Sequence, residues 1–251
     1  MENKLCLNNV ELIYHSPKSE TQALKNLNLT VESGTFISIV GPSGCGKTTI
    51  LSLIAGILKP TSGEILISGK KVDKTSSLSG YMFQRDNLFE WLSIWKNVTL
   101  GLNFKKRNNA ENQEYARQLL TKYGLIDFIK HHPSELSGGM RQRVALIRTL
   151  CLRPEILLLD EPFSALDYQT RLSVQDDVCS IIRSEKKTAI LVTHDISEAI
   201  AMSDKIVILS SRPGTVKKIV DLDFDKNLSP FERRAHPSFN EYFNQIWREL
   251  I

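Results

Sequence analysis

The chain has 251 residues, of which 41% are hydrophobic and 24% are charged, the balance of an ordinary globular protein with ample core. Its 32 basic and 28 acidic residues leave a formal net charge of +4, and no basic stripe with interleaved aromatic residues predicts a nucleic-acid partner. No segment approaches the roughly 18 consecutive apolar residues of a membrane-spanning helix, and Met1–Val10 does not resemble a secretory segment. The four cysteines form no CxxC pair, which suits a reducing compartment.

A glycine-rich loop, GPSGCGKT at Gly41–Thr48, lies between two apolar segments. Phe36–Val40 predicts a buried strand, and Thr49–Ile54 continues as an apolar helix. Such a loop lets backbone N–H groups close around phosphate oxygens where the helix dipole favours negative charge. We expect Lys47 to reach the β- and γ-phosphates of a nucleotide and Thr48 to offer its hydroxyl group to Mg²⁺.

The alternative interpretation of this loop is a Gly/Ser-rich turn that binds nothing. A turn does not require Lys followed by Thr at its end, so we favour the phosphate site. The nucleotide-binding residues predicted from this segment are Gly41, Pro42, Ser43, Gly44, Cys45, Gly46, Lys47, Thr48 and Thr49.

The stretch 84–137 changes character and predicts helices. One of these helices has an apolar face, and Gly124 is placed to end it. The residues of that face are Ala116, Leu119, Leu120 and Tyr123.

A second anion-binding segment is predicted at LSGGMRQR, Leu136–Arg143. Ser137 can cap a helix that begins near Gly139, and Gly138 and Gly139 expose N–H groups at the positive end of that helix. This helix terminus needs a phosphate of its own to hold.

Two acidic residues follow the apolar run Ile156–Leu159, which predicts a strand buried inside a parallel sheet. Ligands bind at the carboxyl ends of such strands. We expect Asp160 to help hold Mg²⁺ and Glu161 to orient or polarise the water that attacks the γ-phosphate. A solvated acidic pair is the alternative, but a phosphate loop needs a metal partner.

A third buried strand, Thr188–Thr193, ends at His194. Most single histidines are packed or surface residues. At the end of a buried strand, however, His194 could donate a hydrogen bond to the γ-phosphate and report whether that group is present.

The residues resemble those of the ATP-binding cassette (ABC) ATPases over nearly the whole chain. Leu136–Met140 is similar to that family's signature sequence. The resemblance implies that Gln84 contacts Mg²⁺ and the attacking water, that Ser164–Asp167 is the D-loop, whose Asp167 joins the nucleotide site, and that His194 is the switch histidine. Tyr14 stands where the family has an aromatic residue that stacks on adenine, although core packing is the alternative interpretation of this side chain.

The resemblance also implies the fold, the cofactors and the assembly. We expect an α/β P-loop NTPase with a RecA-like core, an N-terminal antiparallel β portion and an inserted helical subdomain, all in one domain, 1–251. Its parts would be an α/β lobe at 1–84 and 153–212, a helical lobe at 85–152 and a tail at 213–251, with one docked amphipathic helix at Phe239, Phe243, Ile246 and Trp247. ATP and Mg²⁺ would bind in a head-to-tail homodimer, with the signature residues Ser137, Gly138 and Gly139 against the partner's ATP.

Within the family, LFEWL at Leu88–Leu92 and DEPFS at Asp160–Ser164 are similar to the ATPases of nitrate, sulfonate, taurine and bicarbonate importers. This implies transmembrane permease subunits, an extracytoplasmic solute-binding protein and a peripheral location on the cytoplasmic face of the membrane. Trp91 and Trp95 would form the rim of a permease groove or, alternatively, pack in the core. An exporter or lipoprotein-release ATPase shares the catalytic motifs, whereas a soluble ABC protein of translation or DNA repair would need tandem cassettes or a long coiled-coil insertion.

Overall fold

The computed structural model describes residues 3–16 and 19–251, and within them two β-sheets and several helices form an α/β structure. The strands are β1 (Asn3–Ser16), β2 (Ser19–Glu32), β3 (Phe36–Val40), β4 (Ser62–Ile67), β5 (Lys70–Lys71), β6 (Ser79–Met82), β7 (Ile156–Asp160), β8 (Thr188–Val192), β9 (Lys205–Leu209) and β10 (Val216–Asp221). The helices are α1 (Lys47–Ile54), α2 (Ile94–Phe104), α3 (Ala110–Lys122), α4 (Gly138–Leu150), α5 (Tyr168–Ser184), α6 (Ile196–Met202), α7 (Pro230–Ala235) and α8 (Phe239–Leu250). No helix in these ranges is long and apolar enough to cross a membrane.

The central sheet has the strand order β10-β9-β3-β8-β7-β6. Its strands are parallel except for β10, which pairs antiparallel with β9. Every residue of β3, β7 and β8 is buried, because layers cover both faces of the sheet. Alternate residues of β7 belong to different cores: Leu157 and Leu159 pack with the helices, whereas Ile156 and Leu158 pack with the second sheet.

The second sheet is antiparallel, in the order β2-β1-β4-β5, which confirms the predicted N-terminal antiparallel portion. Its apolar face, with Leu7 and Leu27, packs in one core with Ile50 and Leu53 of α1. Helix α1 is thus held between the two sheets. This packing fixes the loop that precedes the helix, because the same helix ends that loop.

Helices α2, α3 and α4 form a separate helical region between β6 and β7. The apolar face predicted for α3 is confirmed, since Ala116, Leu119 and Leu120 are buried against the other helices. The helix ends at Lys122, and the N–H of Leu125 donates to the carbonyl oxygen of Leu120 at 2.7 Å, which closes the helix end.

The C-terminal region contains two elements that the sequence did not predict, β10 and α7. Residues 216–221, which we had expected in the tail, add an antiparallel edge to the central sheet. Two consecutive lysines, Lys217 and Lys218, interrupt the alternation of apolar and polar residues that would have predicted this short strand. The predicted docked helix is present as α8, where Phe239 and Ile246 are buried while Trp247 stays exposed.

The loop that precedes α2 is held by one buried amide side chain. Asn97 Nδ2 donates to the carbonyl oxygens of Phe89, Leu92 and Ser93 at 3.1, 3.0 and 3.2 Å, while its Oδ1 accepts from the N–H of Phe89 at 2.8 Å. Asn97 is fully buried, so if its side chain were removed, no water could take its place as a hydrogen-bond partner of these backbone groups.

We therefore expect Asn97→Ala to lower the free energy of unfolding by about 2–4 kcal/mol, because several buried backbone groups lose their partner. Chemical denaturation of both proteins measures this difference. The matched control is Asn244→Ala on the exposed side of α8, which should change stability by less than about 0.5 kcal/mol. Equal effects of the two substitutions would contradict a bracing role for Asn97.

Candidate active site

The glycine-rich loop connects β3 to α1, in the strand–loop–helix order that the sequence predicted. Lys47 is the first residue of α1, and its Nζ donates to the carbonyl oxygens of Gly41 and Pro42 at 2.8 and 3.0 Å. These bonds hold the ammonium group at the loop. Lys47, Ser43, Gly44 and Gly46 line the same cavity, so a cation and the start of a helix lie together, an arrangement suited to a polyphosphate.

The carboxylate of Asp160 meets this loop at the end of β7. Its Oδ1 accepts a hydrogen bond from Thr48 Oγ1 at 3.0 Å, and its Oδ2 accepts one from the Tyr81 hydroxyl at 3.0 Å. Burial raises the pKa of the Asp160 carboxyl, while these hydrogen bonds act to lower it. Burial and the charge of Asp160 raise the pKa of the Tyr81 hydroxyl, so this group remains a donor at neutral pH. Sequence reasoning missed Tyr81, since nothing in the strand β6 distinguishes it from a core tyrosine.

The next residue, Glu161, is paired with the predicted switch histidine. Oε1 of Glu161 lies 3.2 Å from Nδ1 of His194. The backbone at Glu161 has φ of 45°, a left-handed conformation that costs a residue with a side chain roughly 1 kcal/mol. Its N–H donates to the carbonyl oxygen of Val192 at 2.9 Å, which ties the turn to the adjacent strand. This turn places the carboxylate beside the phosphate loop.

Lys47, Thr48 and Glu161 border a cavity of about 330 Å³. Its lining residues are Tyr14, Thr21, Ala23, Ser43, Gly44, Gly46, Lys47, Thr48, Thr49, Glu161 and Arg212. Tyr14 is 43% exposed, and its hydroxyl lies 3.3 Å from Thr49 Oγ1. Core packing of Tyr14, the alternative drawn from the sequence, is therefore wrong.

Arg212 is the second residue that sequence reasoning missed. It lies in the turn between β9 and β10, far along the chain from the loop that it borders. The N–H of Gly214 donates to the carbonyl oxygen of Ala23 at 2.9 Å, and a Cβ on Gly214 would lie 2.1 Å from the carbonyl oxygen of Cys45. Only glycine fits there, so the turn is wedged against the phosphate loop. The glycine after Pro213 was the one signal of this close approach.

Other predicted site residues lie outside this cavity. Gln84 is exposed just after β6. Ser137 caps α4 as predicted, its Oγ accepting from the N–H of Met140 at 3.3 Å, although the helix begins at Gly138. Asp167 caps α5 by accepting from the N–H of Thr170 at 3.0 Å, and hydrogen bonds from the Thr170 side chain and this N–H lower the pKa of the Asp167 carboxyl.

The two capped helices meet on a separate exposed surface. A Cβ on Gly138 would lie 3.0 Å from Cδ2 of Leu166, which shows how closely the start of α4 approaches the loop before α5. Ser137, Gly138 and Asp167 are exposed there, while Gly139 is buried. One chain thus presents two features suited to anions, and they do not share a cavity.

Comparison with known proteins supports a nucleotide site. A profile of the ABC transporter family matches residues 24–164. An uncharacterized ABC transporter ATP-binding protein of Bacillus subtilis is 49% identical over 247 residues, which are 98% of this chain and 95% of that protein. A taurine import ATP-binding protein of Roseobacter denitrificans is 38% identical over 253 residues, 97% of this chain and 94% of that protein. An aliphatic sulfonates import ATP-binding protein of Bacillus cereus is 38% identical over 245 residues, 98% and 93% of the two chains.

Among solved structures, the dimeric post-hydrolysis state of the ATP-binding cassette MJ0796, bound to ADP and Pi, superposes with a TM-score of 0.73. The two chains are 34% identical, and the match covers 88% of this chain and 100% of that one. The relatives confirm the expected α/β P-loop cassette fold. The chain therefore belongs to the ABC transporter family and is an ATP-binding cassette with ATPase activity.

Proposed function

We propose that this ATPase drives a membrane importer for a small anionic nutrient and works as a dimer around two ATP molecules. The observation that supports this most is the division of the site: Lys47, Thr48 and Glu161 line one cavity, with Asp160 hydrogen bonded to Thr48, whereas Ser137 and Gly138 lie exposed outside it. A helix terminus suited to phosphate, placed away from the chain's own phosphate loop, fits an ATP held by a second copy.

Thr48 and Asp160 would hold the Mg²⁺ that accompanies ATP. A hydroxyl group and a carboxylate that already contact one another are a suitable donor set, since Mg²⁺ binds oxygen and usually shares its coordination with substrate phosphates. When bound, the ion neutralises charge on the phosphates. Gln84 is exposed after β6, and we retain it as a residue that joins the site in the closed dimer.

Glu161 is the group that we assign to the attacking water. Its carboxylate lines the cavity and can accept a proton from a water molecule directed at the γ-phosphate. His194 contacts this carboxylate through Nδ1, so its ring can orient Glu161 while remaining near the γ-phosphate. Tyr14 would stack on adenine at the other end of the cavity, beside Thr49. In the dimer, Gly139 and Asp167 would complete the partner's site together with Ser137 and Gly138.

The substitution Glu161→Gln should reduce kcat at least about 100-fold while ATP still binds, because the amide cannot take the proton from water. ATP should then hold the dimer together. Size-exclusion chromatography with light scattering measures the mass with and without ATP. Lys47→Ala is the control and should bind ATP poorly. A Glu161→Gln protein that stays monomeric at high protein and ATP concentration would contradict the dimer.

Arg212 extends the predicted site toward the anionic ligand. Its side chain is exposed at the cavity, and the wedged turn fixes its backbone position. We expect Arg212→Gln to weaken ATP binding about tenfold, because a charge-assisted hydrogen bond contributes on the order of 1.5 kcal/mol. Titration with a fluorescent ATP analogue measures the dissociation constant.

The matched control for Arg212 is Arg107→Gln, which removes the same charge from an exposed loop between α2 and α3. Adenosine binding should be nearly unchanged in both variants, since adenosine has no phosphate. Equal ATP affinities of the Arg212 and Arg107 variants would remove Arg212 from the site.

A second cavity, of about 340 Å³, supports a permease partner. It lies between the central sheet and the helical region and is lined mainly by apolar side chains, among them Phe83, Phe89 and Phe104. Phe104 is 80% exposed, and Phe83 and Phe89 on the same cavity are 47% and 37% exposed, so the three rings form one exposed apolar group of the kind that marks an interaction site. Arg148 donates to the carbonyl oxygens of Asp86 and Asn87 at 2.6 and 2.7 Å, which fixes one wall. A helix from the cytoplasmic side of a permease fits such a groove.

Trp91 and Trp95, the two tryptophans that the sequence places at the groove rim, differ in their exposure. Trp91 is 73% exposed and packs beside Phe89, with ring centroids 5.0 Å apart, so core packing is wrong for it. Trp95 is half-buried against the helical core, and the guanidinium of Arg117 lies 4.6 Å from its ring centroid. Trp91 remains a candidate rim residue, whereas the packing interpretation describes Trp95.

The proposed solute is a small molecule that carries a sulfonate group, such as taurine or an aliphatic sulfonate, since proteins with those import functions are 38% identical over nearly the whole chain. An extracytoplasmic solute-binding protein would deliver it, and the ATPase would sit peripherally on the cytoplasmic face of the membrane.

We expect Phe104→Ser to weaken co-purification with a co-expressed permease while ATP affinity is unchanged, because the side chain borders the groove and not the nucleotide cavity. Phe231→Ser is the control: this residue is 64% exposed on α7. Retention of the permease by both variants to the same extent would argue against this groove as the docking site.

A further inference from the structure

The loop that presents His194 is held by buried hydrogen bonds on both sides. The Thr193 hydroxyl and the Glu198 carboxylate are hydrogen bonded to each other. The N–H of Asp195 donates to Thr193 Oγ1 at 3.0 Å, and Asp195 Oδ1 accepts from the N–H groups of Ser197 and Glu198 at 2.8 and 3.1 Å. The residues on either side of His194 are therefore held in place, while the His194 side chain itself is exposed.

This network continues through the protein to the C-terminal region. Gln175 of α5 is fully buried, and its Nε2 donates to Glu198 Oε1 at 3.4 Å. Gln175 Oε1 in turn accepts from Nη2 of Arg234 at 2.6 Å. Nη1 of Arg234 lies 3.5 Å from the carbonyl oxygen of Ser197. One guanidinium on α7 thus contacts both the network and the first turn of α6.

The hydrogen bonds that link Arg234, Gln175 and Glu198 are costly to break, because the side chains of Gln175 and Glu198 are buried. Glu198 is 5% exposed and Gln175 has no exposed surface. A buried amide or carboxylate that loses its hydrogen-bond partner has no water to replace it. Removing Arg234 would leave Gln175 Oε1 without its donor, so the side chains of Gln175 and Glu198 would have to rearrange.

Helix α7 is itself firmly attached. It begins with a reciprocal capping box between Ser229 and Glu232. Arg233 is buried and donates from Nη1 to the carbonyl oxygen of Ser203 at 2.6 Å, just past the end of α6. The N–H of Phe231 donates to Asp176 Oδ1 at 2.9 Å. Because α7 contacts both ends of α6, the helix that follows the His194 loop cannot shift independently of the C-terminal region.

We propose that Arg234 is a positioning residue for ATP hydrolysis: through Gln175 and Glu198 it holds the 193–195 loop so that His194 stays beside Glu161. This inference rests on the proposed roles of Glu161 and His194. The proposal adds to the residues that support hydrolysis one on α7, a part of the chain that contains no catalytic motif. Arg234 touches neither the cavity nor Glu161, so its effect on the reaction is indirect.

The test compares Arg234→Gln, Arg234→Lys and, as matched control, Arg248→Gln on the exposed surface of α8. For the full chain, Arg234→Gln should lower kcat about tenfold, as expected for a displaced catalytic group, with KM and the affinity for a fluorescent ATP analogue unchanged. Arg234→Lys keeps a donor and should recover part of kcat. Arg248→Gln should match the wild type.

Hydrogen–deuterium exchange provides a readout that does not depend on hydrolysis. Peptides spanning 192–198 should exchange faster in Arg234→Gln, whereas peptides of β3 and α1 should not, since the amides of Asp195, Ser197 and Glu198 are protected by the network. If Arg234→Gln does not fold, Arg234→Lys is measured in its place.

Two outcomes would overturn the positioning role. One is a wild-type kcat with unchanged exchange at 192–198. The other is a loss of ATP affinity as large as the loss of kcat, with faster exchange throughout, which would show that Arg234 supports the whole fold. Faster exchange at 192–198 in Arg234→Gln together with a wild-type kcat in Glu161→Gln would instead contradict the proposed role of Glu161 and leave the network in place.

Discussion

The hydrogen bond between Thr48 and Asp160 joins the two halves of the active site, and the fold is organised so that it can form. Thr48 belongs to the helix after β3, and Asp160 ends β7, with β8 between the two strands in the sheet. Parallel strands buried on both faces bring their carboxyl ends to one edge without any direct pairing of β3 and β7. The phosphate loop, the acidic pair and His194 meet because three strands end at the same level.

The parts of the site that could be predicted lie in short segments next to the strand ends at that edge. The loop before α1, the acidic pair at the end of β7 and the Ser137 cap depend on residues that are adjacent in sequence, so local patterns predicted where they lie in the fold. The buried strands β3, β7 and β8 were predicted from apolar runs of the right length, whereas β10 and α7 were not predicted. Tyr14 needed the structure, since an exposed ring and a core ring have the same sequence context.

The parts that could not be predicted depend on distant segments. Arg212 reaches the cavity only because a turn from the far end of the central sheet presses on the loop, and Arg234 reaches Gln175 only because α7 folds back over α5. Strand β10 has two consecutive lysines, so its sequence does not show the alternation of apolar and polar residues that predicts a strand. Long-range packing of this kind leaves no local period in the sequence, and the glycine at 214 becomes informative only once Cys45 is seen beside it.

The alternation along β7 has a consequence for how the site tolerates changes in the chain. Leu157 and Leu159 face one core and Ile156 and Leu158 the other, and Asp160 continues this register. Exchanging one apolar side chain for another keeps the register, but inserting or deleting a single residue would reverse it. Either change would move Asp160 away from its position beside Thr48, and both cores would be mispacked at once. The number of residues in β7 is therefore a stricter requirement than which apolar residues it contains. Engineered variants of the cassette should keep the length of β7 constant, so that Asp160 stays at its end.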